Sequence, residues 1–400
     1  MKFKYYFIFL IPFLVSSFVV YISLDIENWK VFWKFVNIPH QIPPFSDLDS
    51  ISRALRAKLE GFDPYLYNPY DLIQKPYSYT KIWLIIFEFF GFNDPTKFRI
   101  FNFILIYFYT FILVDLAFKF NSRLLSFFLV LFFFSTSNLL LLERLNIEIA
   151  IVILVYILCI TNNNYLKIPI FFSAIYLKLY PIFSIFIFMK NRIIFYIIIF
   201  LSLFFLFLIR EEIFFIMKNS IDYSLIIVHG VVSIIKGISH FSIRHDLYIN
   251  DNNYIYFKNL TIFLACIYSI TLFYYNFDFG EKKISKEFNL EEKLFICGGG
   301  IFIGRVLFFS NWDYGLVFLI FTLPFIIKSN IKFKFTYLFL IFICMNSLYI
   351  EGGDRYTFIY AVKAFTVHSI KILLFTYICI YFSKIINKHF EFKFKNLLSK

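Results

Sequence analysis

The chain has 400 residues, of which 60% are hydrophobic and only 16% charged, and its mean hydropathy is +0.74. A typical soluble domain carries about 25% charged residues, so this composition excludes a soluble enzyme and predicts a polytopic membrane protein. The net charge of +13 is attributed to Lys and Arg in cytoplasmic loops, because no basic–aromatic motif for nucleic-acid binding accompanies it.

The first apolar run follows Lys2 and Lys4 and is long enough, at about 20 residues, to cross a membrane. No clear small-residue cleavage site follows it, so it predicts a retained helix with a cytoplasmic N-terminus. Residues 25–99 are then expected to form a first external loop, whose polar part is 25–81.

Two short helices are predicted within this first external loop. In "DSISRALRAKLEG", residues 49–61, apolar side chains recur every four residues, which indicates an amphipathic helix at the membrane surface. The stretch "IWLIIFEFFGF", residues 82–92, is too short to span a membrane and predicts a half-helix.

Further apolar runs predict membrane spans. They lie at about 100–118, 124–142, 145–160, 193–209, 259–276, 294–309, 314–327, 333–350 and 359–383. The connecting segments rich in Lys and Arg are expected on the cytoplasmic side. They are 119–123, 190–192, 281–293, 328–334 and the basic tail 384–400.

This arrangement requires residues 168–189 to enter and leave the membrane on the same side. Lys178 and Pro181 in the middle of that segment favour a broken helix or a helix hairpin over a single kinked helix. Residues 210–258 form a second external loop. The expected architecture is therefore all-α: a single integral membrane domain over residues 1–400 with about 10–12 transmembrane helices, two external loops and both termini in the cytoplasm.

Polar side chains near the external face are the candidate functional residues, because ionisable groups within membrane segments usually face a cavity or a partner. They are Asp47, Asp49, Glu143, Arg144, Asn146, Glu148, Lys178, Arg305, Asn311, Asp313, Asp354 and Arg355. Carboxylates together with several fixed cations suit an anionic substrate that carries phosphate.

Several blocks of the sequence carry a family resemblance. "FSDLDSISRALRAKLEGFDPYLYNPYDLIQKPYSYTKIWL", "LLERLNIEIAIVIL", "AIYLKLYPIF" and "SNWDYGLVFLIFTLP" together resemble membrane proteins of the glycosyltransferase family 87 type, in the GT-C superfamily. The blocks run in order from about residue 43 to 325, with "EGGDRYTFIY" as a weaker continuation. The resemblance implies an enzyme that moves a sugar from a polyprenyl-phosphate donor to a glycan or lipid-linked acceptor on the extracytoplasmic side.

The resemblance also implies roles for individual residues. Asp47 matches the family's acidic position in the first external loop and is the expected general base, with Asp49 as second choice. A carboxylate there would take the proton of the attacking acceptor hydroxyl, while cations stabilise the departing phosphate. The expected phosphate-binding cations are Arg144, Lys178, Arg355 and Arg305, and the expected substrate-binding residues are Glu143, Asn146, Tyr65 and Asp313.

Simpler interpretations accompany these roles. Either aspartate would serve as the N-cap of the surface helix. Arg144 would merely pair with Glu143 or Glu148, and Lys178 would extend its ammonium group to the membrane interface.

One position departs from the family pattern. Relatives tend to read "DYR" where this chain reads "DYG", with Gly315. A cation expected beside the phosphate is therefore absent at that position. Arg305, on the preceding helix, is the expected substitute; otherwise the donor differs.

No cofactor and no metal site are predicted. His229, His240 and His245 lack the spacing of a helical ligand pair, although some GT-C enzymes use a divalent cation, which leaves that question open. The five cysteines include no CxxC pair and are interpreted as packing residues.

Two other functions compete with the transferase. One is a polymerase of lipid-linked oligosaccharides, and the other is a transporter or lipid flippase. Transporters often contain internal repeats and charges near the middle of the bilayer, whereas no repeat is apparent in this chain.

Overall fold

The computed structural model of the protein describes residues 2–71, 74–219, 228–229, 251–275, 288–308, 311–351 and 358–389. Several predicted features lie outside these residues. They are Asp354, Arg355, His240, His245, most of the second external loop and residues 390–400 of the basic tail.

The described chain is almost entirely helical. Up to residue 219 the helices are α1 (Lys2–Ile22), α2 (Ile26–Phe35), α3 (Ser46–Leu59), α4 (Lys81–Phe90), α5 (Pro95–Phe120), α6 (Arg123–Phe133), α7 (Thr136–Arg144), α8 (Glu148–Ile160), α9 (Asn164–Leu177), a 3₁₀ helix (Tyr180–Phe188), α10 (Arg192–Leu208) and α11 (Arg210–Asn219). From residue 228 onward the elements are β1 (Val228–His229), α12 (Asp251–Tyr275), α13 (Leu290–Phe308), β2 (Asn311–Trp312), a second 3₁₀ helix (Asp313–Thr322), α14 (Leu323–Lys328), α15 (Lys334–Met345), α16 (Ser347–Glu351) and α17 (Phe358–His389). The two short strands pair antiparallel, with Val228 opposite Trp312.

The contacts divide the chain into two compact units, and the single integral membrane domain expected from the sequence stays a prediction. The first unit comprises Met1–Pro181 and Leu201–Ile221, and the second comprises Ile182–Phe200 and Asp222–Lys400. In the first unit α1 packs along α5, and α8 packs against both α5 and α9. In the second unit α13 packs against the second 3₁₀ helix and against α17.

Two helices within the described ranges are long and apolar enough to cross a membrane: α5 and the Phe365–His389 part of α17. Three bent pairs would raise this number to five. The pairs are Tyr6–Ile22 with Ile26–Phe35 (bent by 118°), Arg123–Phe133 with Thr136–Arg144 (53°), and Arg192–Leu208 with Arg210–Ile216 (64°). Other apolar runs fold as shorter helices, such as α8 and α15. The described residues thus contain two to five candidate spans, and the larger number expected from the sequence stays a prediction.

Helix α3 carries the two aspartates of the first external loop. It begins at Ser46, three residues before the predicted start, and its N-cap residue is Phe45 in the left-handed backbone region. Its apolar face, which includes Leu48 and Ile51, is buried, and the helix packs against α4 and α7. Asp47 and Asp49 both fall in its first turn, where the helix dipole favours negative charge.

The predicted interruption at Lys178 is present. Helix α9 ends at Leu177, and Lys178 follows in an extended conformation with φ −162° and ψ 137°. The Trp83 indole N–H donates to the carbonyl oxygen of Leu177 at 3.3 Å, which fixes the end of the helix. A proline disfavours the α conformation in the residue that precedes it, so Pro181 opposes the continuation of α9 as an α-helix. The helix is therefore broken at Lys178, and the hairpin expected for residues 168–189 stays a prediction.

Candidate functional site

The candidate site is built around the carboxylate of Asp47, at the start of α3. Its Oδ2 accepts a hydrogen bond from the side-chain amide of Asn146 at 2.5 Å. Asn146 is buried between α7 and α8, and its Oδ1 accepts from the backbone N–H of Glu148 at 3.1 Å. Because the amide is fixed at both of its ends, Asn146 holds Asp47 in a defined orientation.

Two ion pairs accompany this carboxylate, and each uses a fully buried glutamate. Arg144 Nε lies 2.8 Å from Glu143 Oε2, and Lys178 Nζ lies 2.7 Å from Glu148 Oε1. Arg144 thus makes the pairing that the simpler interpretation expected, whereas Lys178 turns towards a buried partner. The break after α9 is what brings Lys178 to the N-terminal turn of α8.

The pair of Arg144 and Glu143 is tied to the chain segment that precedes α3. Glu143 Oε1 accepts from the backbone N–H of Gln41 at 2.6 Å. Arg144 Nη1 lies 3.4 Å from the hydroxyl oxygen of Ser46, the residue before Asp47. The Trp29 indole donates to the Gln41 carbonyl at 3.2 Å and so anchors the same segment. These contacts place a guanidinium group beside the first turn of α3.

Burial raises the pKa of the Asp47 carboxyl group, because desolvation disfavours its charged form. Arg144, the hydrogen bond from Asn146, and Lys178 each oppose that shift but do not cancel it. A carboxylate with a raised pKa binds a proton more strongly than an ordinary aspartate. Asp47 is therefore suited to accept a proton from a substrate.

Asp49 has a different environment, although it lies only two residues away. Its Oδ2 pairs with Arg53 Nε at 2.8 Å along the same helix. Arg53 also lies 3.4 Å from the carbonyl oxygen of Ser46. Burial raises the pKa of Asp49 as well, against the effect of Arg53. Asp49 thus helps to hold α3 together, and the N-cap position belongs to Phe45.

Tyr79 borders the site and was missed by sequence reasoning. It hydrogen-bonds to Asn146, and burial and the nearby Asp47 charge raise the pKa of its hydroxyl well above the ordinary value. Tyr65, a predicted substrate-binding residue, supports it: its hydroxyl donates to the carbonyl oxygen of Tyr79 at 3.3 Å. Tyrosine is too common in this chain, with 29 residues, for composition to single out Tyr79.

Asp313 and Arg305, two other predicted site residues, belong to the second unit. Asp313 is buried and pairs with Lys371 Nζ at 2.9 Å, and the Ser347 hydroxyl donates to it. Lys371 was also missed, although a lysine within the apolar run 359–383 is a signal for a buried partner.

The guanidinium of Arg305 occupies the space beside Gly315. Arg305 is 1% exposed, and its guanidinium carbon lies 5.9 Å from the ring centre of Phe318. A Cβ atom added at position 315 would overlap Arg305 Nη2. Arg305 therefore lies beside position 315, and its expected role as a substitute cation for the phosphate stays a prediction.

The first unit therefore brings together five of the predicted site residues: Asp47, Glu143, Arg144, Asn146 and Lys178. Among the residues that the structure describes, no three His, Cys, Asp or Glu side chains are grouped so as to hold a metal ion. No family model, curated protein or solved structure matches this chain.

Proposed function

We propose that the protein is a multi-pass glycosyltransferase of the inner membrane. It moves a sugar from a polyprenyl-phosphate donor to a glycan or lipid-linked acceptor on the extracytoplasmic face. The observation that supports this proposal most strongly is the group formed by Asp47, Asn146 and the two nearby cations Arg144 and Lys178.

Asp47 is assigned the role of general base. The acceptor hydroxyl oxygen attacks the anomeric carbon of the sugar, and the bond from that carbon to the phosphate oxygen breaks. The hydroxyl proton passes to the Asp47 carboxylate, and the polyprenyl phosphate leaves with the bonding electron pair. The raised pKa of Asp47 supports this role, because it makes proton acceptance more favourable.

Arg144 and Lys178 are assigned to the phosphate. Their pairing with buried glutamates does not prevent such binding, since a guanidinium has five N–H donors and an ammonium has three. The glutamates fix the positions of both cations before substrate arrives, so little reorganisation is needed as charge develops on the leaving group.

The test is transfer by the purified protein in liposomes. The liposomes contain polyprenyl phosphate that carries a radiolabelled hexose or pentose, together with extracted envelope lipids as acceptors. We expect release of polyprenyl phosphate that depends on both protein and acceptor. An elongated oligosaccharide product would identify the polymerase instead. Movement of the labelled lipid between leaflets without acceptor, and without transfer, would identify a flippase and contradict the proposal.

A further inference from the structure

A separate apolar cavity of about 670 Å³ lies in the first unit, between α1, α5 and α6. Its walls include Ile11 and Val15 from α1, Leu113 from α5 and Leu129 from α6. This volume lies within the range of about 300–1,000 Å³ that is typical of small-molecule sites. None of the residues assigned to sugar transfer lines the cavity.

The polar end of this cavity carries one cation. Arg123, the first residue of α6, lines the cavity together with Asn121 and Ser122. Within the described ranges Arg123 is exposed and makes no ion pair. Lys119, one turn earlier, is by contrast engaged by Asp115 at 2.7 Å. The cavity thus combines an apolar body with a single unneutralised guanidinium at its end.

The cavity and the candidate site lie towards opposite ends of the bent helix pair α6–α7. Arg123 begins this pair and Arg144 ends it, and the pair is apolar enough to form one broken span. At about 1.5 Å per residue, the path between the two arginines is roughly 30 Å, which is comparable to the hydrocarbon thickness of a bilayer. If Arg144 faces the extracytoplasmic side, Arg123 faces the cytoplasmic leaflet.

We propose that this cavity binds an acyl chain of an anionic phospholipid from the cytoplasmic leaflet, with the lipid phosphate at the guanidinium of Arg123. The apolar walls suit a hydrocarbon chain and not a soluble anion. A planar guanidinium matches the oxygens of a phosphate. The net negative charge of the headgroup complements Arg123, which has no carboxylate partner among the residues that the structure describes.

The test uses purified, delipidated protein in detergent, titrated with phosphatidylglycerol, phosphatidylcholine or sodium phosphate. Bound lipid is counted by native mass spectrometry. We expect one phosphatidylglycerol to bind more tightly than phosphatidylcholine, and sodium phosphate to have no effect on thermal unfolding. Arg123→Gln should weaken binding of phosphatidylglycerol about fivefold, since one basic residue near the membrane surface contributes about 1 kcal/mol.

Further variants separate the effect of the cation from the effect of the cavity. Arg99→Gln removes an exposed cation near the other end of α5 and should leave binding unchanged. Ala117→Leu adds volume inside the cavity and should abolish binding of both lipids. Ser126→Leu fills the same cavity from α6 and replaces Ala117→Leu if the latter unfolds. Equal affinities of Arg123→Gln and Arg99→Gln, or full binding by a folded cavity-filled variant, would overturn the proposal.

Discussion

Lys178 pairs with Glu148 in the structure and has a second, proposed role in the reaction, so a single substitution would disturb both. Its ammonium neutralises the buried Glu148, and in the proposed reaction it also stabilises the leaving phosphate. Lys178→Met should therefore abolish transfer and also lower stability. Breaking a buried pair costs about 3–5 kcal/mol, and we expect less, about 2 kcal/mol, because the Lys178 side chain is 28% exposed.

The double variant Lys178→Met/Glu148→Gln separates these functions. It removes both charges, so the thermal unfolding temperature should return towards that of the wild type, while sugar transfer stays absent. Recovery of transfer together with stability would show that Lys178 has a structural function only.

Asn146 should control the pH dependence of transfer through Asp47. The hydrogen bond that Asn146 donates stabilises the charged carboxylate and so lowers its pKa, against the larger effect of burial. Transfer needs the deprotonated form, and its rate should fall as the pH decreases through the raised pKa. In Asn146→Ala this fall should occur at a higher pH. The measurement is a pH–rate profile of both proteins, and an unshifted profile would argue against Asp47 as the titrating group.

Adjacent glycines in α13 provide a test of packing at the level of helices. A Cβ atom at Gly298 would lie 2.5 Å from the backbone oxygen of Phe318, whereas one at Gly299 would lie 3.2 Å from the Ile378 methyl group. A backbone atom cannot move aside as a side chain can. Gly298→Ala should therefore destabilise the protein by about 1–3 kcal/mol, and Gly299→Ala by clearly less. The two variants are compared by thermal unfolding in detergent. Equal losses of stability would contradict the close packing of α13 on the second 3₁₀ helix.

The sequence predicts elements better where periodicity and stop signals coincide. It locates α3 and α4 within a few residues, because four-residue apolar spacing and glycines mark them. It predicts one span at 124–142, where the structure has α6 and α7 bent by 53°. The signal for the break is the polar stretch of residues 135–138, "STSN", in which the Ser135 side chain caps α7. Hydropathy alone does not register such a cap.

The proposed orientation of the whole molecule can be tested by labelling in intact cells. Single cysteines are placed in a background without the five native ones. Leu66→Cys, in the first external loop, should react with a membrane-impermeant reagent added outside. Asn121→Cys and Asn330→Cys, both exposed in Lys-containing connections, should react only after permeabilisation. Labelling of Asn121→Cys in intact cells would contradict the assignment of this face to the cytoplasm.

The composition of the whole chain predicts an apolar helical protein, and the residues that the structure describes are mostly helical and include two to five candidate spans. The charged residues expected near the external face also include Asp47, Arg144 and Lys178, which the first unit brings together. Their pairing depends on the break after Leu177 and on the fixed amide of Asn146. Such long-range arrangements arise from tertiary packing and leave no local pattern in the sequence.

The proposed role of Asp47 as catalytic base is tested by comparing sugar transfer in Asp47→Asn and Asp49→Asn. Asp47→Asn keeps the size of the side chain but removes its basicity, so transfer should fall about 10²–10⁴-fold, equivalent to roughly 3–5 kcal/mol. Asp49→Asn removes a pair with Arg53 on α3, so it should lower stability by about 1 kcal/mol or less and leave transfer nearly unchanged.

Both variants are compared with the wild type at matched protein levels, with donor binding measured in parallel. Donor binding should survive in Asp47→Asn, because the base contacts the acceptor. If Asp49→Asn is inactive and Asp47→Asn is active, the catalytic base is Asp49 and not Asp47. Full transfer by both variants would show that neither Asp47 nor Asp49 is the catalytic base.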